Sequence, residues 1–138
     1  MCVNLKRNTF ALTSDKQAIT SPVVIAHAED DWDIPISHSV ALFEAFLNPH
    51  LPVTPTFPLI GLDEESAAQR AGVYEEWSTR RALRDKLVQS RQIPSFGSVE
   101  KFSNVVLVTA RYGGHDHVGL QEGVQDVIAD AFDMWRKP

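Results

Sequence analysis

Two clusters in the chain carry residue types suited to acid–base chemistry. Glu29-Asp30-Asp31-Trp32-Asp33 crowds four carboxylates into five residues. Gly113-Gly114-His115-Asp116-His117 places two imidazoles behind a glycine pair. A carboxylate that accepts the Nδ1–H of a histidine fixes its tautomer and stabilises the imidazolium. Nε2 is then free to take a proton from a nucleophile. Each residue also has a plainer use: an aspartate can form a turn or cap a helix, and a loop histidine can bond local backbone.

For such a pair to meet, two elements must deliver it. Val23-Val24-Ile25-Ala26 is an apolar run without polar alternation and too short for a helix, which predicts a strand buried on both faces. The acidic cluster follows it. Asn104-Val105-Val106-Leu107-Val108-Thr109-Ala110 is a second such run, and the Gly-Gly-His loop follows that. Between them Ser37 opens a helix with Ile36, Val40, Phe43 and Leu47 on one face, stopped by Asn48-Pro49. Two buried strands joined through a helix predict a parallel pair with a right-handed crossover. Both loops then open on one edge of the sheet, where catalytic groups of open α/β sheets lie. Asp31 and His115 can meet there although 84 residues apart.

The remaining elements are coarser. Ser14 or Asp15 caps a helical turn through Ile19, and Pro22 stops it. Pro49, Pro52, Pro55 and Pro58, half of the eight prolines, make Leu51–Leu62 a stiff connector. Asp63 caps a helix running to Ala71, which Gly72 interrupts and Val73–Arg91 resumes, with Val73, Trp77, Leu83 and Leu87 as apolar contacts. Arg80, Arg81, Arg84, Lys86 and Arg91 read as its solvated face. Ile93–Ser98 is a loop. A last amphipathic helix from Gln121 carries Val124, Val127, Ile128, Ala131 and Trp135, and Phe43, Phe46, Phe132 and Trp135 read as core.

The 138 residues, 43% hydrophobic, suffice for one domain with a core. Net charge is −5 without a basic cluster, so no nucleic-acid partner is expected. No apolar run approaches the ~20 residues of a membrane span. The start of the sequence lacks an apolar signal-peptide core, and a cytoplasmic or membrane-peripheral location is expected. No Gly-x-Gly-x-x-Gly or Walker loop follows either strand, so no nucleotide cofactor is expected. His115-x-His117 and the Asp30, Asp31, Asp33 group are of metal-ligating types. Neither has the spacing of a complete set, and no metal is assigned.

Asp31-x-x-Ile34-Pro35 after one strand and Gly113-Gly114-His115 after the next resemble the acid and histidine segments of α/β-hydrolases, whose chain order is nucleophile, acid, histidine. The phrase Ala26-His27-Ala28-Glu29-Asp30-Asp31 with Ile34-Pro35, and Phe10, Ile19 and Pro22 before it, is most similar to the branch containing monoacylglycerol and lysophosphatidylserine lipases. The resemblance covers roughly residues 10–48 and 99–135 and leaves a helical insert at roughly 50–95. It implies an α/β fold of parallel strands flanked by helices and a serine-type ester or lipid hydrolase. Carried over by position, Asp31 falls on the catalytic acid, with Asp30 and Asp33 as alternatives. His115 falls on the base, with His117 second.

The departure is as informative. No Gly-x-Ser-x-Gly elbow occurs; Gly97-Ser98 follows the acid and precedes no helix, and Cys2 has neither glycines nor a strand before it. The chain is therefore similar to the C-terminal half of such a hydrolase, as a truncated gene, partial gene model or processed chain would give. By itself it is expected to be inactive. The first strand should lack a neighbour on its outer edge, which invites an N-terminal hydrolase half or another chain to pair there. The other outcome is a catalytically inactive remnant or a partner-binding module.

Overall fold

In the computed structural model, residues 19–56 and 64–136 are described, with the backbone alone for 64–65 and 134–136. Cys2, the helical turn expected from Ser14 or Asp15 apart from Ile19, residues 57–62 of the connector, the Asp63 cap and the Trp135 side chain lie outside the described residues. Four strands form one mixed sheet in the order β1-β4-β3-β2. These are β1 (Val23–Ala28), β2 (Gln89–Ile93), β3 (Gly97–Phe102) and β4 (Val105–Ala110). The helices are α1 (Ser37–Leu47), α2 (Glu64–Leu87), the single turn α3 (Gly114–His117) and α4 (Glu122–Arg136).

The expected parallel pair forms: β1 runs beside β4 with Val23 opposite Val105 and Ala28 opposite Ala110. The all-parallel expectation does not hold, because β2–β3 and β3–β4 are antiparallel. The expected insert is helical over α2 but closes with a strand, the first of a hairpin. Helix α2 ends at Leu87, not Arg91, and residues 89–93 and 97–102 extend the sheet beyond β4. Strand β2 shows why sequence pattern missed this. Gln-Ser-Arg-Gln-Ile is exposed at four of five positions, the polar dress of an edge strand that must not recruit neighbours. Gly72 does not interrupt α2, which passes through it for 24 residues.

Alternation along the strands separates two cores. Val105 and Leu107 of β4 join Ile25 of β1 against Phe43 and Leu47 of α1. Val106, Val108 and Ala110 turn the other way, toward Val124 and Val127 of α4. Every residue of β4 is buried, as a central strand requires, whereas β1 is only partly buried because its outer edge carries no strand among the described residues. Phe43, Leu47, Val108 and Val124 are the largest fully buried side chains, each stabilising the fold by about 1.5–3 kcal/mol. Three residues expected to make apolar contacts lie at the surface: Val40 and Trp77 are exposed, and Phe132 is 61% exposed. Asn104 fastens the entry to β1, its amide donating to the carbonyls of Ile19 and Ser21.

Two arginines that sequence pattern assigned to a solvated face anchor helix α2. Arg80 is buried and donates to the carbonyl of Pro52 and, at 2.5 Å, to Asn48 Oδ1. Arg84 bridges Glu44 of α1 at 2.6 Å and Glu100 of β3 at 3.3 Å. Hydrogen bonds to the two carboxylates hold the guanidinium charged, against partial desolvation. Arg81, Lys86 and Arg91 are exposed.

Two glycine substitutions should act in opposite directions. A Cβ at Gly97 would sit 1.8 Å from the Thr109 carbonyl oxygen, so Gly97→Ala should lower stability by about 1–3 kcal/mol. A Cβ at helical Gly72 meets nothing within 4 Å, so Gly72→Ala should raise it by about 0.5–1 kcal/mol. Chemical denaturation of the two variants checks both signs.

Candidate functional site

The ladder between β1 and β4 delivers both loops to one end of the sheet. It ends with the Glu29 N–H donating to the Ala110 carbonyl at 2.7 Å. Beyond that bond the chains separate into the acidic turn and the glycine loop. The turn is built by Asp31 itself: Oδ1 accepts the backbone N–H groups of Asp33 and Ile34, both at 2.9 Å, a side-chain closure typical of aspartate. The other oxygen, Oδ2, faces the glycine loop, and His115 Nδ1 lies 3.1 Å from it. The Asp31 side chain is 5% exposed and that of His115 48%. One partner is anchored and the other is accessible.

The glycines give the loop its shape. Gly113 has φ 137° and a Cβ there would lie 2.9 Å from the Val118 Cα, so the chain can fold back over this position only without a side chain. Gly114 has φ 53° and donates its N–H to Asp30 Oδ1 at 2.8 Å. Adjacent aspartates thus hold adjacent parts of one loop: Asp30 takes the backbone of Gly114, Asp31 the ring of His115.

The remaining candidates fall elsewhere. Asp33 is exposed and serves the turn through its N–H. His117 is exposed, and its backbone N–H donates to the Gly113 carbonyl at 3.0 Å. Among the described residues no group of three His, Cys, Asp or Glu side chains converges as a metal site. No described helix is long and apolar enough to cross a membrane.

Sequence reading passed over His27. This ring is buried, and its nitrogens lie 2.7 Å from Ser39 Oγ and 2.9 Å from the Ile34 carbonyl. Its Nε2 is also 3.6 Å from Asp31 Oδ2. The signal was available: His27 is the one strongly polar side chain in Val-Val-Ile-Ala-His-Ala, and a buried polar group requires partners.

The electrostatics favour an ion pair. The Ile34 N–H, then the His115 and Asp33 hydrogen bonds, lower the Asp31 pKa against desolvation. Asp31, by hydrogen bond and charge, raises that of His115; Asp116 and Asp33 add to it. Nδ1–H therefore donates to an ionised carboxylate. Among the described residues nothing bonds His115 Nε2.

Comparison of the chain with protein-family models, with curated proteins and with solved structures finds no match.

A pH window follows from the two shifts. The lowered Asp31 pKa contributes stability above the unfolded carboxylate pKa, lost as pH falls through the folded value. The raised His115 pKa contributes stability below the unfolded imidazole pKa, lost as pH rises through the folded value. Both contributions are fully present between roughly pH 4 and 6.5. Urea denaturation across pH should show Asp31→Asn destabilising the fold most inside that window and less on its alkaline side.

Proposed function

We propose that Asp31 and His115 are the acid and base of a serine-type ester or lipid hydrolase whose nucleophile comes from another segment. The observation that carries this reading is the 3.1 Å contact between Asp31 Oδ2 and His115 Nδ1, made just past the ends of two parallel strands. The acid-then-histidine order and the Ile34-Pro35 and Gly113-Gly114 contexts support it through the α/β-hydrolase resemblance.

Asp31 holds the ring with Nδ1 protonated and Nε2 open. A serine hydroxyl reaching Nε2 loses its proton there as Oγ attacks the ester carbonyl carbon. The tetrahedral adduct collapses, the carbon–oxygen bond to the alcohol breaks, and Nε2 returns the proton to the leaving oxygen. Water then attacks the acyl-serine, its proton passing through Nε2 to the serine. Asp31 stays ionised throughout and stabilises the imidazolium. A segment bearing a Gly-x-Ser-x-Gly elbow would dock on the free edge of β1, beside the strand that carries Asp31.

One observation favours a second reading, a partner-binding module without catalysis. Beside the outer edge of β1, which pairs with no strand among the described residues, lies a groove of about 420 Å³ between that strand and α4, lined by Val24, Ile128, Ala131 and Phe132 with Ser21 and Pro22. An apolar groove beside an open strand edge suits strand addition.

A fluorophosphonate probe separates the readings. The isolated chain should stay unlabelled. Adding an N-terminal hydrolase half that carries the elbow should give labelling and esterase activity. Asp31→Asn should lower that activity about 10⁴-fold, and His115→Ala should reduce it to background. Activity that survives both changes contradicts the proposal. A complex that forms, stays inactive and is indifferent to both changes favours the binding module.

A further inference from the structure

The buried imidazole of His27 stands outside the Asp31–His115 pair, yet its contacts reach the turn that aims the acid. A backbone carbonyl only accepts, so the 2.9 Å contact to Ile34 requires the proton on His27 Nε2. In the neutral ring Nδ1 is then an acceptor, and the Ser39 hydroxyl donates to it at 2.7 Å. Ile34 in turn donates its N–H to Asp31 Oδ1. Thus His27 holds Ile34 by its carbonyl while Ile34 holds the carboxylate by its N–H. The same Nε2 lies 3.6 Å from Asp31 Oδ2, the oxygen that His115 engages.

The placement follows from the strand. Val23 and Ile25 of β1 pack toward α1, and two-residue alternation carries His27 to that side. There it meets Ser39 in the first turn of α1. The acidic turn is therefore fastened from beneath to both the strand before it and the helix after it.

We propose that His27 is a positioning residue for the Asp31–His115 pair: by binding Ile34 and Ser39 it fixes the turn that presents Asp31 Oδ2 to His115. This rests on reading that pair as an acid–base couple. A histidine that merely fills volume would be replaceable by phenylalanine. One that positions the turn would be replaceable only by a side chain that donates to Ile34. The amide of glutamine reaches about as far as Nε2, and that of asparagine stops near Nδ1.

The experiment is an NMR pH titration of the His115 ring in the full chain, with the His117 ring as internal reference. Wild type is compared with Asp31→Asn, His27→Phe and His27→Gln. Asp116 and Asp33 act on His115 in all four, so differences between variants read the Asp31 contact. Asp31→Asn should bring the His115 midpoint down toward the ordinary imidazole range. His27→Phe should produce most of that fall, and His27→Gln should stay near wild type. If the phenylalanine variant does not fold, His27→Asn replaces it with the same expectation. A His115 midpoint that stays at the wild-type value in His27→Phe or His27→Asn, while Asp31→Asn lowers it, overturns the role of His27 and leaves the pair standing. A midpoint that Asp31→Asn itself does not lower overturns the pair, and the role of His27 with it.

Discussion

The parallel ladder between β1 and β4 is the constraint on which the rest depends. Antiparallel pairing of the same strands would send the acidic turn and the glycine loop to opposite ends of the sheet. Parallel pairing, with Ala28 opposite Ala110, releases both chains at one level, and the last ladder bond to Glu29 fixes that level. Everything beyond it is local. Asp31 closes its own turn with one oxygen and offers the other. Gly113 and Gly114 fold the facing loop so that a histidine follows at once. Asp30 ties the two loops through Gly114, so the His115 contact does not depend on a single long side chain finding its partner.

The sheet is built asymmetrically around that ladder. On one side of β4 the β2–β3 hairpin supplies two more strands and ends in a polar edge. On the other side, among the described residues, β1 stands at the border with apolar residues and an adjoining apolar groove. Sheet edges are ordinarily blunted by charge, proline or short length, as β2 is by Arg91 and its glutamines. The two borders of the described sheet thus differ in polarity. Helix α2 adds little to either core. Buried Arg80 and bridging Arg84 link it to α1, to the chain after α1 and to β3, so its attachment is largely polar.

What the sequence revealed follows the range of the forces involved. Strands β1 and β4 announced themselves by uninterrupted apolar runs, α1 and α4 by helical spacing, and the proximity of Asp31 and His115 by strand order. The β2–β3 hairpin did not. Its first strand has one apolar residue, and its pairing is a tertiary event that follows a charged helix without a visible break. Gly72 misled in the other direction, since an exposed glycine weakens a helix without ending it. Within the site, carboxylates and imidazoles were legible as residue types. Their division of labour was not: whether Asp30 takes backbone and Asp31 takes a ring depends on turn geometry. His27 was hidden in an apolar strand, where its polarity was the clue.

Asp31 Oδ2 accepts from His115 Nδ1, which puts the proton of the neutral ring on Nδ1 and leaves Nε2 without a partner among the described residues. The most direct measurement is the long-range ¹H–¹⁵N NMR spectrum of the His115 ring above its titration midpoint, where the neutral tautomer can be read. Free imidazole side chains favour the proton on Nε2. The Asp31 contact should give the Nδ1–H tautomer at His115. A neutral His115 found mainly as the Nε2–H tautomer would contradict it.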